Sequence, residues 1–419
     1  MAHHDWIIAG GRVMDPANGI DGQLDLCVRD GRISLLTRSA RAETSERRFD
    51  ARGMLVAPGL IDLHMHGYEH VTPLGINVDH YCLGRGVTTA LDTGSAGCST
   101  FEGFRNYACQ SSRTRLLALL NISCAGLAFA KLGGDKATPG ELDLMELADL
   151  EGCIDCVNAN RDLVAGVKVR LSASLADEGR NEAEAYRRAL DAARAVRLPL
   201  MVHHTLSTVS LADCPGKMAA GDIYTHTYHG FRSTIIRSDG TLDPSVRAAR
   251  ERGVLFDVGF GQGSFNWTVA ELSFRQGFWP DTISTDLHSG TCEGPAYDLP
   301  TVMTRLLHLG LPLTEVIRRT TIEPARAIGW QDRIGSLEVG READVTALSL
   351  ETVDTELEDC QSQLRRVRRR LRPRAVWRAG VPGRITEPVQ WPNPAAIARQ
   401  RSAWDLLEVR DPHPPGQLT

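Results

Sequence analysis

Residues 55–66 read LVAPGLIDLHMH, an apolar run that closes on two histidines one residue apart. Successive side chains of a strand point to opposite faces, so His64 and His66 share one face at its C-terminal end and can address one ion. Alone the pattern says little, but the texture recurs. GVTTALDTG (from 86), RLLALLNIS (115), LVAGVKVRLS (163), LPLMVHH (198), GDIYTHTYH (221), GVLFDVG (253) and TISTDLH (282) are all short apolar runs of strand character. Helical periodicity lies between them, most clearly in Asn181 to Arg197 and Pro244 to Arg252. Eight strands alternating with helices over residues 56–330 predict an α/β fold, a (β/α)8 TIM barrel with its chemistry at the strand C-termini. No glycine-rich phosphate fingerprint follows the first strand, which argues against an open doubly wound sheet.

The two ends of the chain share a different texture. DWIIAGGRVMD and DLCVRDGRISLL near the start, and GSLEVGREADVTALSLE and AVWRAGVPGR near the end, read as hairpin strands. Together, residues 1–55 and 331–385 predict a small composite β-sandwich domain beside the barrel, with 386–419 a peripheral C-terminal tail. The basic run RRVRRRLRPR at 365–374 follows the acidic ETVDTELEDC, and reads as a solvated helix and linker.

At 419 residues, 42% hydrophobic and 24% charged, the chain is long enough for a large core plus an appendage. A formal net charge of −5 gives no field for polyanions, so nucleic acid and anionic membranes are excluded as principal partners in favour of a small-molecule substrate. Ten dilute cysteines without framework spacing indicate free thiols. Cys153 and Cys156, in a helical segment, read as a structural pair. No leader-like segment opens the sequence and no run approaches 18 apolar residues, so a cytoplasmic location is expected, with a homo-oligomer as the expected assembly.

Only four lysines, Lys131, Lys136, Lys168 and Lys217, stand among 47 basic residues. Three are in polar, loop-like surroundings, whereas Lys168 sits inside an apolar strand. An uncompensated ammonium there is expensive, so it must be paired, neutral or modified. A neutral amine can add carbon dioxide and become a carbamate, whose two oxygens can bridge two cations. His203 and His204 end the fifth strand, His226 and His229 lie in the sixth, and Asp286 and His288 in the eighth. Ligand-type residues at so many strand ends point to a metal centre.

The set His64-x-His66 after PGLIDLH, Lys168, His203, His226 and Asp286 resembles the dinuclear amidohydrolase superfamily. GVKVRLS, LPLMVHH, GDIYTHTYHG, FDVGFGQGSFNW and ISTDLH resemble its amidohydrolase/deacetylase branch, over about residues 5–350. The resemblance implies that His64, His66 and Asp286 hold the more buried ion and His203 and His226 the exposed one, with carboxylated Lys168 and a hydroxide bridging them. Zinc suits such ligands. His203 is favoured over His204, which then packs outward or bonds locally, and His229 is expected to line the pocket. Phe260 stands where the branch often carries histidine, implying a less polar pocket there.

The activity implied is metal-dependent hydrolysis of an amide or ester in a small N-acyl or O-acyl substrate, with Asp286 moving the proton. A cyclic-amide hydrolase of the dihydroorotase type shares the metal set; a deaminase or a non-catalytic scaffold fits it less well. Arg170, two residues beyond Lys168, faces the same side and offers a fork of donors to a carboxylate. Its alternative is an internal ion pair with Glu293 or Asp257. Tyr228, His229, Ser264 and His288 complete the candidate substrate contacts.

Overall fold

The computed structural model describes residues 3–130 and 139–398. Lys131, Lys136 and the end of the expected tail, 399–419, lie outside the described residues. The first strands, β1 (His3–Asp15), β2 (Ile20–Arg29), β3 (Arg32–Thr37), β4 (Thr44–Asp50) and β5 (Leu55–Pro58), are rejoined 280 residues later by β13 (Val345–Glu358), β14 (Leu364–Arg378) and β15 (Val381–Gly383). These eight form one sheet in the order β15-β14-β13-β5-β1-β2-β3, with β4 pairing to β1. Strands from both chain ends thus meet in one sheet. Its core includes Ile8, Val28, Val56, Val345 and Trp377.

Gly59 marks the exit. A side chain there would meet the Thr88 hydroxyl at 2.2 Å, so only glycine lets the backbone pass so close. Seven strands follow in a curled parallel sheet whose spatial order is their sequence order: β6 (Leu60–Met65), β7 (Val87–Gly97), β8 (Arg115–Asn121), β9 (Val164–Leu171), β10 (Leu200–His204), β11 (Ile223–Thr225) and β12 (Leu255–Phe256). The eighth predicted strand, 282–288, does not form a ladder. It touches both edges of the sheet through isolated parallel bridges, Asp257 to Thr282 and Met65 to Leu287. Asp286, with φ of 46°, interrupts its extended path.

The helices fall where the periodicity puts them. Glu182–Val196 buries Ala185, Ala189, Ala192, Ala193 and Val196, the stripe of an amphipathic helix, and Arg197 ends it in the left-handed region. Pro244–Glu251 begins with proline behind the Asp243 cap. Cys153 and Cys156 lie in the helix Leu150–Ala159, and none of the ten cysteines is in a disulfide.

Two expectations fail. Residues 365–374 are not helix and linker but part of β14, paired antiparallel to the acidic β13. The neighbouring acidic and basic runs are the two arms of one hairpin, tied by Arg366 and Arg368 to Asp354 and by Arg374 to Glu351. Nor is the segment after 385 wholly peripheral: Trp391 is buried and packs with Tyr297, Leu357 and Val367. Among the described residues, no helix is long and apolar enough to cross a membrane.

Candidate metal centre and active site

The C-terminal ends of the parallel strands converge. His64 and His66 leave β6 with their Nε2 atoms 3.3 and 3.0 Å from one Asp286 oxygen, and the three can hold one ion. Asp286 reaches them because its backbone nitrogen donates to the His64 carbonyl at 2.7 Å. Lys168, from the middle of β9, is buried with Nζ 3.5 Å from His64 Nε2. His203, from β10, and His226, just past β11, stack edge to face with centroids 4.1 Å apart.

The tautomers follow from the outer partners. The Gly259 carbonyl can only accept, so His226 Nδ1 donates to it, at 2.6 Å, and Nε2 is left as a bare lone pair. That Nε2 is buried and has no hydrogen-bond partner. Thr225 spends its hydroxyl proton on Asp257 at 2.7 Å, so it accepts from His64 Nδ1 at 3.0 Å, and the His64 Nε2 lone pair likewise faces inward. His203 uses Nε2 on Thr205 at 2.6 Å, leaving Nδ1. Imidazole lone pairs converging with one carboxylate make a donor set that fits a divalent cation, and the partners behind them are of the kind that orient metal ligands.

Electrostatics agree. Burial, then neighbouring cations, hold His64 and His203 well below the usual imidazole range, and burial takes His226 down to about 4. Burial raises the Asp286 carboxyl, but hydrogen bonding to His66 and the charges of His226, His66 and His288 outweigh it and hold it below the usual carboxylate range. The Lys168 ammonium is pushed down to about 8 by burial, against the pull of Asp286 and Asp257. His226 and Asp286 both have positive φ, 62° and 46°, in the left-handed region that costs a residue with a side chain some strain.

A cavity of about 440 Å³ opens over this cluster. Arg170, Ser264 and His288, named above as candidate substrate contacts, line it, with Gln262 and the apolar Leu127, Leu175 and Phe231. Burial holds His288 at about 4. Other placements differ from the sequence reading. Tyr228 lies in the core, its hydroxyl on the Phe278 carbonyl, because its ring packs between Phe265 and Phe274. His229 is also away from the cavity, stacked on Phe231 and accepting the Phe231 amide. Phe260 stacks on Phe265 behind the loop, so the pocket does not gain its apolar surface. His204 bonds locally to Tyr224 and Val209, as expected. Arg170 pairs with neither Glu293 nor Asp257; its Nε lies 3.6 Å from Glu141, a fully buried carboxylate that burial pushes upward in pKa. Glu141 sits in a polar loop with no sequence signal to single it out.

Residues 55–382 match the amidohydrolase family, and the chain belongs to it. A deacetylase from Agrobacterium fabrum is 32% identical over 345 residues, covering 82% of this chain and 83% of that protein. Among solved structures, an adenine deaminase superposes with a TM-score of 0.83 at 26% identity, covering 90% of this chain and 99% of its own. A dihydroorotase gives 0.80 at 28%, covering 92% and 98%. The protein is thus an amidohydrolase, of a family that generally uses divalent metals.

Proposed function

We propose that this amidohydrolase is a dinuclear metal-dependent deacylase that cleaves the amide or ester bond of a small N-acyl or O-acyl substrate. The observation that carries the reading is the buried His226 Nε2, which has no hydrogen-bond partner and faces the same centre as His64, His66 and Asp286. The 82% coverage by a deacetylase relative supports the choice of reaction. On this reading the parallel strands and the bridging segment 282–288 form a closed (β/α)8 barrel at residues 56–330, and 1–55 with 331–385 form its companion domain.

His64, His66 and Asp286 would hold one ion and His203 and His226 a second, zinc being best suited to the donors. Bound ions would supply Lewis acidity toward the carbonyl and bring water deprotonation toward neutral pH. Lys168, whose ammonium burial pushes down to about 8, would lose a proton and add carbon dioxide, and the carbamate would then be a further ligand for the ions. Asp286 takes the proton of the attacking water and returns it to the leaving nitrogen or oxygen. Arg170 turns its guanidinium fork toward a substrate carboxylate while Glu141 holds the Nε edge. The apolar wall of Leu127, Leu175 and Phe231 keeps competing water from the acyl group.

Metal analysis of the full chain alongside turnover of N-acyl amino acids and dihydroorotate tests this. Two ions per chain with N-acyl turnover are expected. Turnover confined to dihydroorotate assigns the site to cyclic amides, and one ion with neither activity overturns the dinuclear reading. Lys168→Ala should lose metal, with partial rescue by short carboxylic acids.

A further inference from the structure

The β13–β14 hairpin reaches well beyond its own sheet. Its tip, residues 358–363, lies against the barrel loop that follows β12. The Cys360 amide donates to the Phe265 carbonyl at 3.0 Å, and the Cys360 thiol lies 3.2 Å from both the Phe260 and Gly261 carbonyls. Asp359 accepts the Trp267 amide at 3.0 Å while its other oxygen accepts the Gln361 and Gln363 amides at 2.7 and 2.9 Å, which locks the tip. Gln361 accepts from Asn266 at 2.5 Å. Behind them the Arg305 guanidinium donates to the Glu358 carbonyl at 2.9 Å and lies 4.1 Å over the Phe260 ring.

The other side of that loop is the wall of the active site. The Gly259 carbonyl fixes the His226 ring, and Gln262 and Ser264 line the cavity. Gly261, at φ of +57°, lies so close to Asp286 that a side chain there would come within 2.4 Å of the carboxylate. The loop is thus one layer thick between the hairpin tip and the ligands.

We propose that the hairpin tip, through Cys360 and Asp359, is a positioning element of the active site: it sets the path of residues 259–264 and thereby the aim of His226 and the approach of Gly261 to Asp286. The inference rests on the metallohydrolase reading for its consequence in catalysis, but not for the contact itself. Neither residue touches substrate; both act through the loop.

The test uses the full chain and three variants. Cys360→Ala removes the donor to two loop carbonyls, Cys360→Ser keeps a donor, and Val367→Ala removes buried packing in β14 next to Tyr297 and Trp391 while leaving the Cys360 and Asp359 hydrogen bonds in place. Each is measured for amide exchange at 259–264 in the metal-free protein, for affinity of the weaker of two zinc ions by chelator competition, for kcat and KM, and for Tm. Cys360→Ala should raise exchange and zinc Kd by about fivefold to tenfold, the scale of one lost hydrogen bond, and lower kcat similarly at unchanged KM. Cys360→Ser should restore most of this. Val367→Ala should lower Tm without moving the other readouts. Wild-type exchange at 259–264 in Cys360→Ala, or equal effects from Val367→Ala, overturns the proposal. If Cys360→Ala does not fold, Asp359→Asn, which loses the acceptor for Trp267, gives the same readouts. A wild-type protein that binds no zinc would sink the metallohydrolase reading, while the exchange comparison would still decide the positioning role.

Discussion

At the N-terminal end of the parallel sheet, Arg115 opens β8 by donating to Asp344 at 2.5 Å, to Glu342 and to Thr89, joining the parallel strands to the first sheet. Arg194 closes on Asp222, which also accepts the first amide of β10. At the C-terminal end Arg170 faces Glu141, but the cluster beneath is not closed in this way: imidazole lone pairs face one carboxylate, and His226 Nε2 has no hydrogen-bond partner. One end satisfies each buried charge with an opposite charge from the chain itself, which serves stability. The other end leaves its valence turned inward, and that incompleteness is what a cation and a substrate can use.

The contrast can be broken first at Asp286. Asp286→Asn keeps the size and removes the base, and the rate should fall by roughly 10²- to 10⁴-fold with a Tm near wild type. A loss below tenfold would show that another residue moves the proton. Arg115→Ala should do the opposite. It leaves the buried Asp344 carboxylate without its cation, a change that destabilises by about 3–5 kcal/mol, while kcat per folded molecule stays at the wild-type value. Denaturant melts and active-site titration separate the two outcomes.

Acid sharpens the same comparison. His64, His203, His226 and His288 are buried neutral, with pKa values below their unfolded value of 6.5. The unfolded chain therefore binds more protons, so their contribution is full above pH 6.5 and is lost as pH falls toward about 4, the value for His226 and His288. The metal-free protein should lose Tm steeply through that window, and zinc should oppose the loss. A flat Tm between pH 6.5 and 4 would mean that the imidazoles already carry protons. The smallest expected effect is at Arg170. Arg170→Lys keeps the charge but not the fork, so kcat/KM for an N-acyl amino acid should drop relative to its methyl ester by about tenfold, about one charged hydrogen bond. An unchanged ratio would confine Arg170 to its pair with Glu141.

The strands that carry the site were readable because each is buried on both faces and ends abruptly in polar residues. Lys168 announced itself by sitting where an ammonium should not be. The segment 282–288 was read as a strand from its composition, but the backbone reversal at Asp286 that aims the carboxylate also prevents a ladder, and no local pattern signals it. Tyr228 and His229 looked like pocket residues by their nearness to His226; the turn just after His226 carries them into the core instead. The error at 365–374 has another cause. Arginine stems cover apolar surface as well as carry charge, so a strand alternating with an acidic partner hides its period behind a run of one residue type. Glu141 and the hairpin tip were illegible because their meaning lies in what they meet across more than twenty residues of chain.

β5 pairs with β1 on one side and with β13 on the other, and the β13 hairpin also backs the loop behind His226. A ribosome therefore releases every candidate metal ligand, from His64 to Asp286, before the strands that complete the first sheet exist. During that interval the nascent chain has an unpaired edge at β5 and a loop at 259–264 with nothing behind it, the kind of exposed edge that invites wrong pairing. Synthesis past Arg378 closes both at once. A chain cut before β14 should be not a slower enzyme but a sticky one, because the strands that complete the sheet also complete the wall behind the site.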